Sequence, residues 1–263
     1  MILAKEDLTI TLIQSDILWK DCDNNLINYN RLLKQLSVKT DLIVLPEMFN
    51  TGFCMEPENL AEETDGKTIT WMKEKASELN CGIAGSMIIS EQQKFHNRLI
   101  YTDPYGNIQW YDKRHLFRMG NEESNFVAGK NRLIVKSGEW RVCFQICYDL
   151  RFPVWSRNQD DYDILVNCAN WPAARDNVWQ TLLKARAIEN QCYVVGVNRT
   201  GTDGNGFEYE GNSMIVDPKG NVMKLLSGKD IKPYTITLSL TELNIFRKSF
   251  PAWKDRDIFT ILS

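Results

Sequence analysis

Six stretches of the chain are apolar almost without interruption: 8–14 (LTITLIQ), 41–47 (DLIVLPE), 81–89 (CGIAGSMII), 142–148 (VCFQICY), 163–170 (DILVNCAN) and 192–198 (CYVVGVN). A strand with one wet face alternates apolar and polar residues. Unbroken runs are what strands buried on both faces look like, as in parallel sheets covered by helices. Between the runs the apolar spacing changes to three and four. Leu26, Tyr29, Leu33 and Leu36 form one such stripe, Ile69, Met72, Ala76 and Leu79 a second, and Val178, Leu182, Ala185 and Ile188 a third. Strands alternating with amphipathic helices predict an α/β fold.

The pattern also repeats. Asp103-Pro104-Tyr105-Gly106-Asn107 and Asp217-Pro218-Lys219-Gly220-Asn221 each lie between two apolar segments, with Pro and Gly where a tight hairpin turn needs them. DLIVL at 41 returns as DILVN at 163, and Gly85 inside one run is matched by Gly196 inside another. The similar offsets predict two related halves, packed as a pseudo-twofold αββα sandwich of two sheets with helices on both outer faces. No linker or low-complexity segment separates the halves, so residues 1–263 read as a single domain. Phe246, Phe250, Trp253 and Phe259 lie beyond the last hairpin. An aromatic tail from about residue 238 is expected to pack on a second subunit.

Composition narrows the function classes. With 31 basic and 34 acidic residues and a net charge of −3, the chain carries no electrostatic footprint for nucleic acid. No apolar run approaches the roughly 20 residues of a membrane span. The start, MILAKEDLTI, places Lys5, Glu6 and Asp7 where a secretory signal would need an apolar segment, so a cytoplasmic protein is expected. Seven dispersed cysteines, no CxxC pair and two histidines argue against a disulfide framework and against a zinc site. No metal or organic cofactor is expected.

In α/β folds, ligands bind beyond the carboxyl ends of the strands, and three reactive side chains fall there. Glu47 follows LIVLP; beside Met48, Phe49 and Phe53 it is either a solvated loop acid or a partly desolvated general base. Lys113, in QWYDKRHLF, is either an ordinary surface lysine or a cation aimed at a developing oxyanion. Cys147 ends VCFQIC at the point where Tyr148 and Asp149 break the apolar run. Cys143, of the same parity, should lie deeper and serve as packing. A strand-to-helix turn at Cys147 would lift the thiol into a site and point backbone N–H groups, such as that of Tyr148, at an adjacent oxyanion. An acid/base, a cation and a thiol at three strand ends make a complete kit for acyl transfer.

These segments resemble a known family. LPEMF around Glu47, YDKRHLF around Lys113 and CYDLRFP around Cys147 are similar, in order and separation, to the three signatures of the nitrilase superfamily of carbon–nitrogen hydrolases. The segment Asn170 to Gly201 resembles the region that follows them, and the similarity runs from about Leu8 to Trp253. The resemblance implies an αββα sandwich that dimerises or assembles further. It also implies Cys147 as nucleophile, Glu47 as general base and Lys113 as transition-state stabiliser. A second glutamate often lies between the lysine and the cysteine; Glu122 and Glu123 both stand there, and spacing to Gly129 favours Glu122. CYDLRFPVWSRN and HLFRMGNEESNF are most similar to ω-amidases, which hydrolyse the terminal amide of 2-oxo acids such as 2-oxoglutaramate. The implied partner is a small-molecule amide.

An oxo-acid substrate needs a cation for its carboxylate. Arg118, Arg151 and Arg175 all lie near the motifs, with Arg175 the first choice and Arg151 divided between substrate binding and an ion pair with Asp149. Phe49, Phe117 and Trp171 are candidate pocket walls. Three rival readings remain open: a Cys–His hydrolase using His115, hydrolysis of a nitrile or N-carbamoyl amide on the same fold, and a non-catalytic reactive-cysteine redox sensor.

Overall fold

The computed structural model describes residues 7–261. In chain order its first half supplies β1 (Asp7–Leu12), α1 (Cys22–Leu33), β2 (Leu42–Val44), α2 (Lys67–Leu79), β3 (Gly82–Glu91), β4 (Lys94–Thr102) and β5 (Ile108–Asp112). The short helix α3 (Glu122–Asn125) leads to β6 (Leu133–Ser137), β7 (Trp140–Ile146), α4 (Pro153–Ser156), β8 (Ile164–Ala169), α5 (Asp176–Asn190) and β9 (Tyr193–Asn198). Then come β10 (Thr200–Thr202), β11 (Glu208–Glu210), β12 (Met214–Val216), β13 (Val222–Leu225), β14 (Tyr234–Ser239) and α6 (Leu240–Ser249).

Two six-stranded sheets result, ordered β14-β1-β2-β3-β4-β5 and β6-β7-β8-β9-β12-β13. Read in those orders, each begins with an antiparallel pair, continues through two parallel pairings and ends with two antiparallel ones. The sheets are topological copies, as the sequence repeat predicts. DPYGN turns between β4 and β5, DPKGN between β12 and β13, and Gly85 and Gly196 occupy the equivalent strands β3 and β9.

The unbroken apolar runs are explained by burial on both faces. Leu42 and Val44 point into the core between the sheets, where they join Ile10, Val142, Phe144, Ile164 and Val195. Ile43 and Leu45 point the other way, against Leu26 and Tyr29 of α1 and Ile69 and Met72 of α2. On the far side, Cys143, Leu165 and Val194 meet Trp179, Leu183 and Ala187 of α5. Helices, two sheets and helices make four layers.

One detail departs from the sequence reading. The buried face of α5 is Trp179, Leu183, Arg186, Ala187 and Asn190, while Ile188 is exposed. The apolar stripe from Val178 is therefore displaced by one residue, because the true face includes a buried arginine and a buried asparagine. The segment from about residue 238 also has a place in its own chain. β14 pairs with β1, Leu243 of α6 joins the inter-sheet core, and Gln191 bonds Phe250 O and Trp253 N.

Candidate active site

The carboxyl ends of β2, β5, β7 and β8 converge on one cleft of about 190 Å³ whose lining includes Lys113, Cys147, Tyr148, Asn170 and Trp171. Cys147 follows β7 directly and opens a 3-10 turn over Cys147–Arg151. Its φ is +43°, in the left-handed region that residues with a Cβ seldom enter. Such a conformation costs on the order of 1–3 kcal/mol and persists only where the surroundings enforce it. Asp149, fully buried, is the enforcing residue. Its Oδ2 accepts from Ile146 N (3.1 Å) and Tyr111 OH (2.7 Å), and its Oδ1 from His115 N (2.9 Å) and Nδ1 (2.8 Å). One carboxylate thus ties the cysteine turn to the segment carrying Lys113. Tyr148 is the second residue of the turn, where backbone N–H groups have no intrahelical partner.

Behind the thiol, Glu47, Lys113 and Glu122 are all fully buried. Lys113 Nζ donates to Glu47 Oε1 (2.8 Å) and to Glu122 Oε2 (2.9 Å) and Oε1 (3.1 Å). Burial works against the ammonium, but Glu122 and Glu47 outweigh it and hold the lysine charged well past its ordinary range. Burial pushes the Glu122 carboxyl up; Lys113 opposes this and Glu47 adds to it. Burial, reinforced by Glu47, also raises the Cys147 thiol well above its ordinary value, with Lys113 opposing. The resting thiol is therefore protonated, and the Glu47 carboxyl stands next to it. Asn170 joins the two: its N–H donates to Glu47 Oε2 (2.9 Å), its Nδ2 to Glu47 O (2.6 Å), and its carbonyl accepts from Cys147 Sγ (3.8 Å).

The sequence candidates sort clearly. Glu47, Lys113, Glu122, Cys147 and Tyr148 come together. Glu123 is exposed and lies 3.9 Å from the outward-facing Arg118, which does not line the cleft. Phe117, Trp171 and Arg175 line it as expected, but Phe49 does not. Met48 takes a φ of +41°, and this turn sends the Phe49 ring to the helix side of the sheet, edge-on to Tyr29 at 5.4 Å. Phe53 and Met55 take the wall instead. Asp149 has its acceptor positions filled elsewhere, so of the two alternatives for Arg151 the ion pair does not form. Arg151 lies over Trp171 (5.2 Å) and Arg175 over Phe117 (5.4 Å). Both arginines line the cleft, and neither has a carboxylate partner among the described residues. His115 is stacked on Phe152 at 3.7 Å with Nδ1 on Asp149, which turns it away from a Cys–His pair.

Sequence reasoning missed three contributors. Asn97 on β4 is fully buried and donates from Nδ2 to both Glu47 Oε1 (2.8 Å) and Glu122 Oε1 (3.0 Å). In FHNRLIY, Asn97 stands between His96 and Arg98, and nothing in that polar trio sets it apart. Asn170 was visible only as the end of a strand. The third is the β10–β11 hairpin, whose Asp203, Asn205, Phe207 and Tyr209 form one wall. Its tip repeats the chemistry of the two DPxGN turns: Asp203 Oδ1 accepts from Asn205 N (2.9 Å) and Phe207 N (3.0 Å).

Among the described residues no helix is long and apolar enough to cross a membrane, and no group of three or more His, Cys, Asp or Glu is placed to hold a metal ion. The family model for carbon–nitrogen hydrolases matches residues 9–242. The omega-amidase YafV of Escherichia coli (strain K12) is 44% identical over 256 residues, covering 97% of this chain and 98% of its own length. The 2-oxoglutaramate amidase of Bacillus subtilis (strain 168) is 32% identical over 252 residues, 94% of this chain and 96% of its own. A solved structure from Xanthomonas campestris, a CN-hydrolase superfamily protein with an arsenic adduct in its active site, superposes with a TM-score of 0.94 at 42% identity, over 97% of this chain and 99% of that one. With the matched region running from β1 into α6, the chain belongs to the carbon–nitrogen hydrolase family.

Proposed function

We propose that this enzyme hydrolyses the terminal amide of a small 2-oxo acid, such as 2-oxoglutaramate, through a thioester on Cys147. The observation that carries the reading is the meeting of one protonated thiol, one buried carboxylate and one buried ammonium at the floor of a small cleft. The names of the omega-amidase and 2-oxoglutaramate amidase relatives support the substrate class.

Glu47 takes the thiol proton, and the thiolate attacks the amide carbonyl. Lys113 Nζ and the Tyr148 N–H meet the oxyanion; a donor of this kind is typically worth about 10²–10³ in rate. The tetrahedral intermediate expels ammonia, protonated by Glu47, and leaves the acyl group on sulfur. Water, deprotonated by Glu47, then releases the acid and returns the proton to the thiol. Glu122 keeps Lys113 oriented and charged. The guanidiniums of Arg175 and Arg151, without a carboxylate partner among the described residues, meet the substrate carboxylate, with Phe117 and Trp171 holding them by their ring faces. No cofactor takes part. We further assign the enzyme to the cytoplasm as a single-domain homodimer or larger homo-oligomer, its C-terminal aromatic segment meeting a second copy; exposed Phe250 and seven free cysteines support this.

The test is ammonia release from a panel of ω-amides, nitriles and N-carbamoyl amino acids. The expected result is preference for 2-oxo ω-amides and complete loss in Cys147→Ala with the fold retained. Turnover by Cys147→Ala would sink the mechanism, and preference for a nitrile or carbamoyl substrate would sink the substrate class.

A further inference from the structure

Glu47 already holds three donors. Oε1 accepts from Lys113 Nζ and Asn97 Nδ2, both at 2.8 Å, while Oε2 accepts from Asn170 N at 2.9 Å. A carboxylate oxygen offers two lone-pair positions. Oε1 is therefore full, and the open position belongs to Oε2.

What keeps the amine of Asn97, and not its carbonyl, turned toward Glu47 is found further back. Met48 N–H is a donor only, and it donates to Ser86 Oγ (2.9 Å). That hydroxyl, having accepted, places its own hydrogen on Asn97 Oδ1 (2.9 Å). With the carbonyl so engaged, Asn97 Nδ2 has both hydrogens free for Glu47 Oε1 and Glu122 Oε1. Every link runs one way, because reversing Asn97 would set a carbonyl against two carboxylates. Ser86 also braces the turn that carries Glu47, its N donating to Pro46 O (3.4 Å) and its O accepting from Phe49 N (3.1 Å). Ser86 and Asn97 are fully buried and do not line the cleft.

We propose that the one-way chain Met48 N–H, Ser86, Asn97, Glu47 fills Oε1 and so dedicates Glu47 Oε2 to the proton of Cys147, making Ser86 and Asn97 positioning residues for the reaction. The proposal rests on the thiol-hydrolase reading above. The ionisable groups that meet at this point are Glu47, Glu122, Lys113 and Cys147, with the buried Cys168 of β8 also facing Glu47.

The experiment compares Ser86→Ala and Asn97→Ala with the unsubstituted protein, measuring kcat and KM for an ω-amide across pH. A carboxylate that loses a donor holds its proton more tightly, so the acid limb of kcat/KM should move to higher pH in both variants. A slightly misplaced base should lower kcat by about tenfold or more while KM stays within about twofold, since neither residue touches substrate. Should Asn97→Ala fail to fold, Ser86→Ala decides alone, its change being the loss of one oxygen. An unmoved acid limb, or a rise in KM that accounts for the lost kcat/KM, overturns the proposal while leaving the function standing. Absence of amide hydrolysis by the unsubstituted protein overturns both.

Discussion

At the carboxyl end of β2 in the first sheet stands Glu47; at the equivalent end of β8 in the second stands Asn170. The first sheet and the loop after it also supply Asn97, Lys113 and Glu122, whereas the second supplies the thiol, from the end of β7. The two sheets share strand order, strand direction, hairpin turns and paired glycines, yet their chemistry is not shared. Apolar patterning is satisfied by either half alone. Buried charge is not: Glu47 and Glu122 are both sustained by one lysine. Sandwich packing lets an ionised cluster from one sheet meet a neutral thiol and amide from the other.

Breaking the asymmetric part should have the largest effect. Glu47→Gln keeps shape and removes the proposed base, so kcat should fall by roughly 10²–10⁴, measured as ammonia release. Retention of wild-type kcat would mean the acid is only a partner of Lys113. The symmetric part should respond in stability. A Cβ at Gly85 would come within 2.8 Å of the Phe49 ring, and one at Gly196 within 2.6 Å of Leu183. Gly85→Ala and Gly196→Ala should each cost about 1–3 kcal/mol by overpacking, read by denaturant unfolding; a large difference between them would show that the helix layers do not constrain both sheets alike. The smallest effect belongs to the turns. Gly106 and Gly220 have φ of +82° and +89°. Replacing either by Ala should cost about 1–2 kcal/mol, with kcat unchanged. Gly220→Ala should be slightly the worse, since only there does the new methyl meet a neighbour, the movable Ile188 side chain at 2.6 Å.

The strands were legible because burial on both faces leaves unbroken apolar runs, and the αββα architecture because those runs recur. The β10–β11 hairpin was not, since its strands are three residues long and its turn, TDGNG, lacks the proline of the other two. In the site, Glu47, Lys113 and Cys147 could be found as reactive groups at strand ends. Asn97 could not, because a buried asparagine that serves two carboxylates has the same letter as one that faces water. Phe49 was misplaced because nothing in LPEMF announces the left-handed Met48. The sequence leaves Arg151 divided between Asp149, near it in the chain, and the substrate; on this turn Asp149 is directed inward to Tyr111 and His115.

The pairing of β14 with β1 bears on how the molecule is made. Asp7 lies opposite Ser239 and Leu12 opposite Tyr234, so almost the whole described chain intervenes between partners. At a synthesis rate of roughly 5–20 residues per second, β1 leaves the ribosome tens of seconds ahead of the strand that covers its edge. Until then the nascent first sheet presents an open edge able to capture another chain. A polypeptide released before residue 234 would keep that edge permanently, although every residue assigned to the chemistry had already been translated.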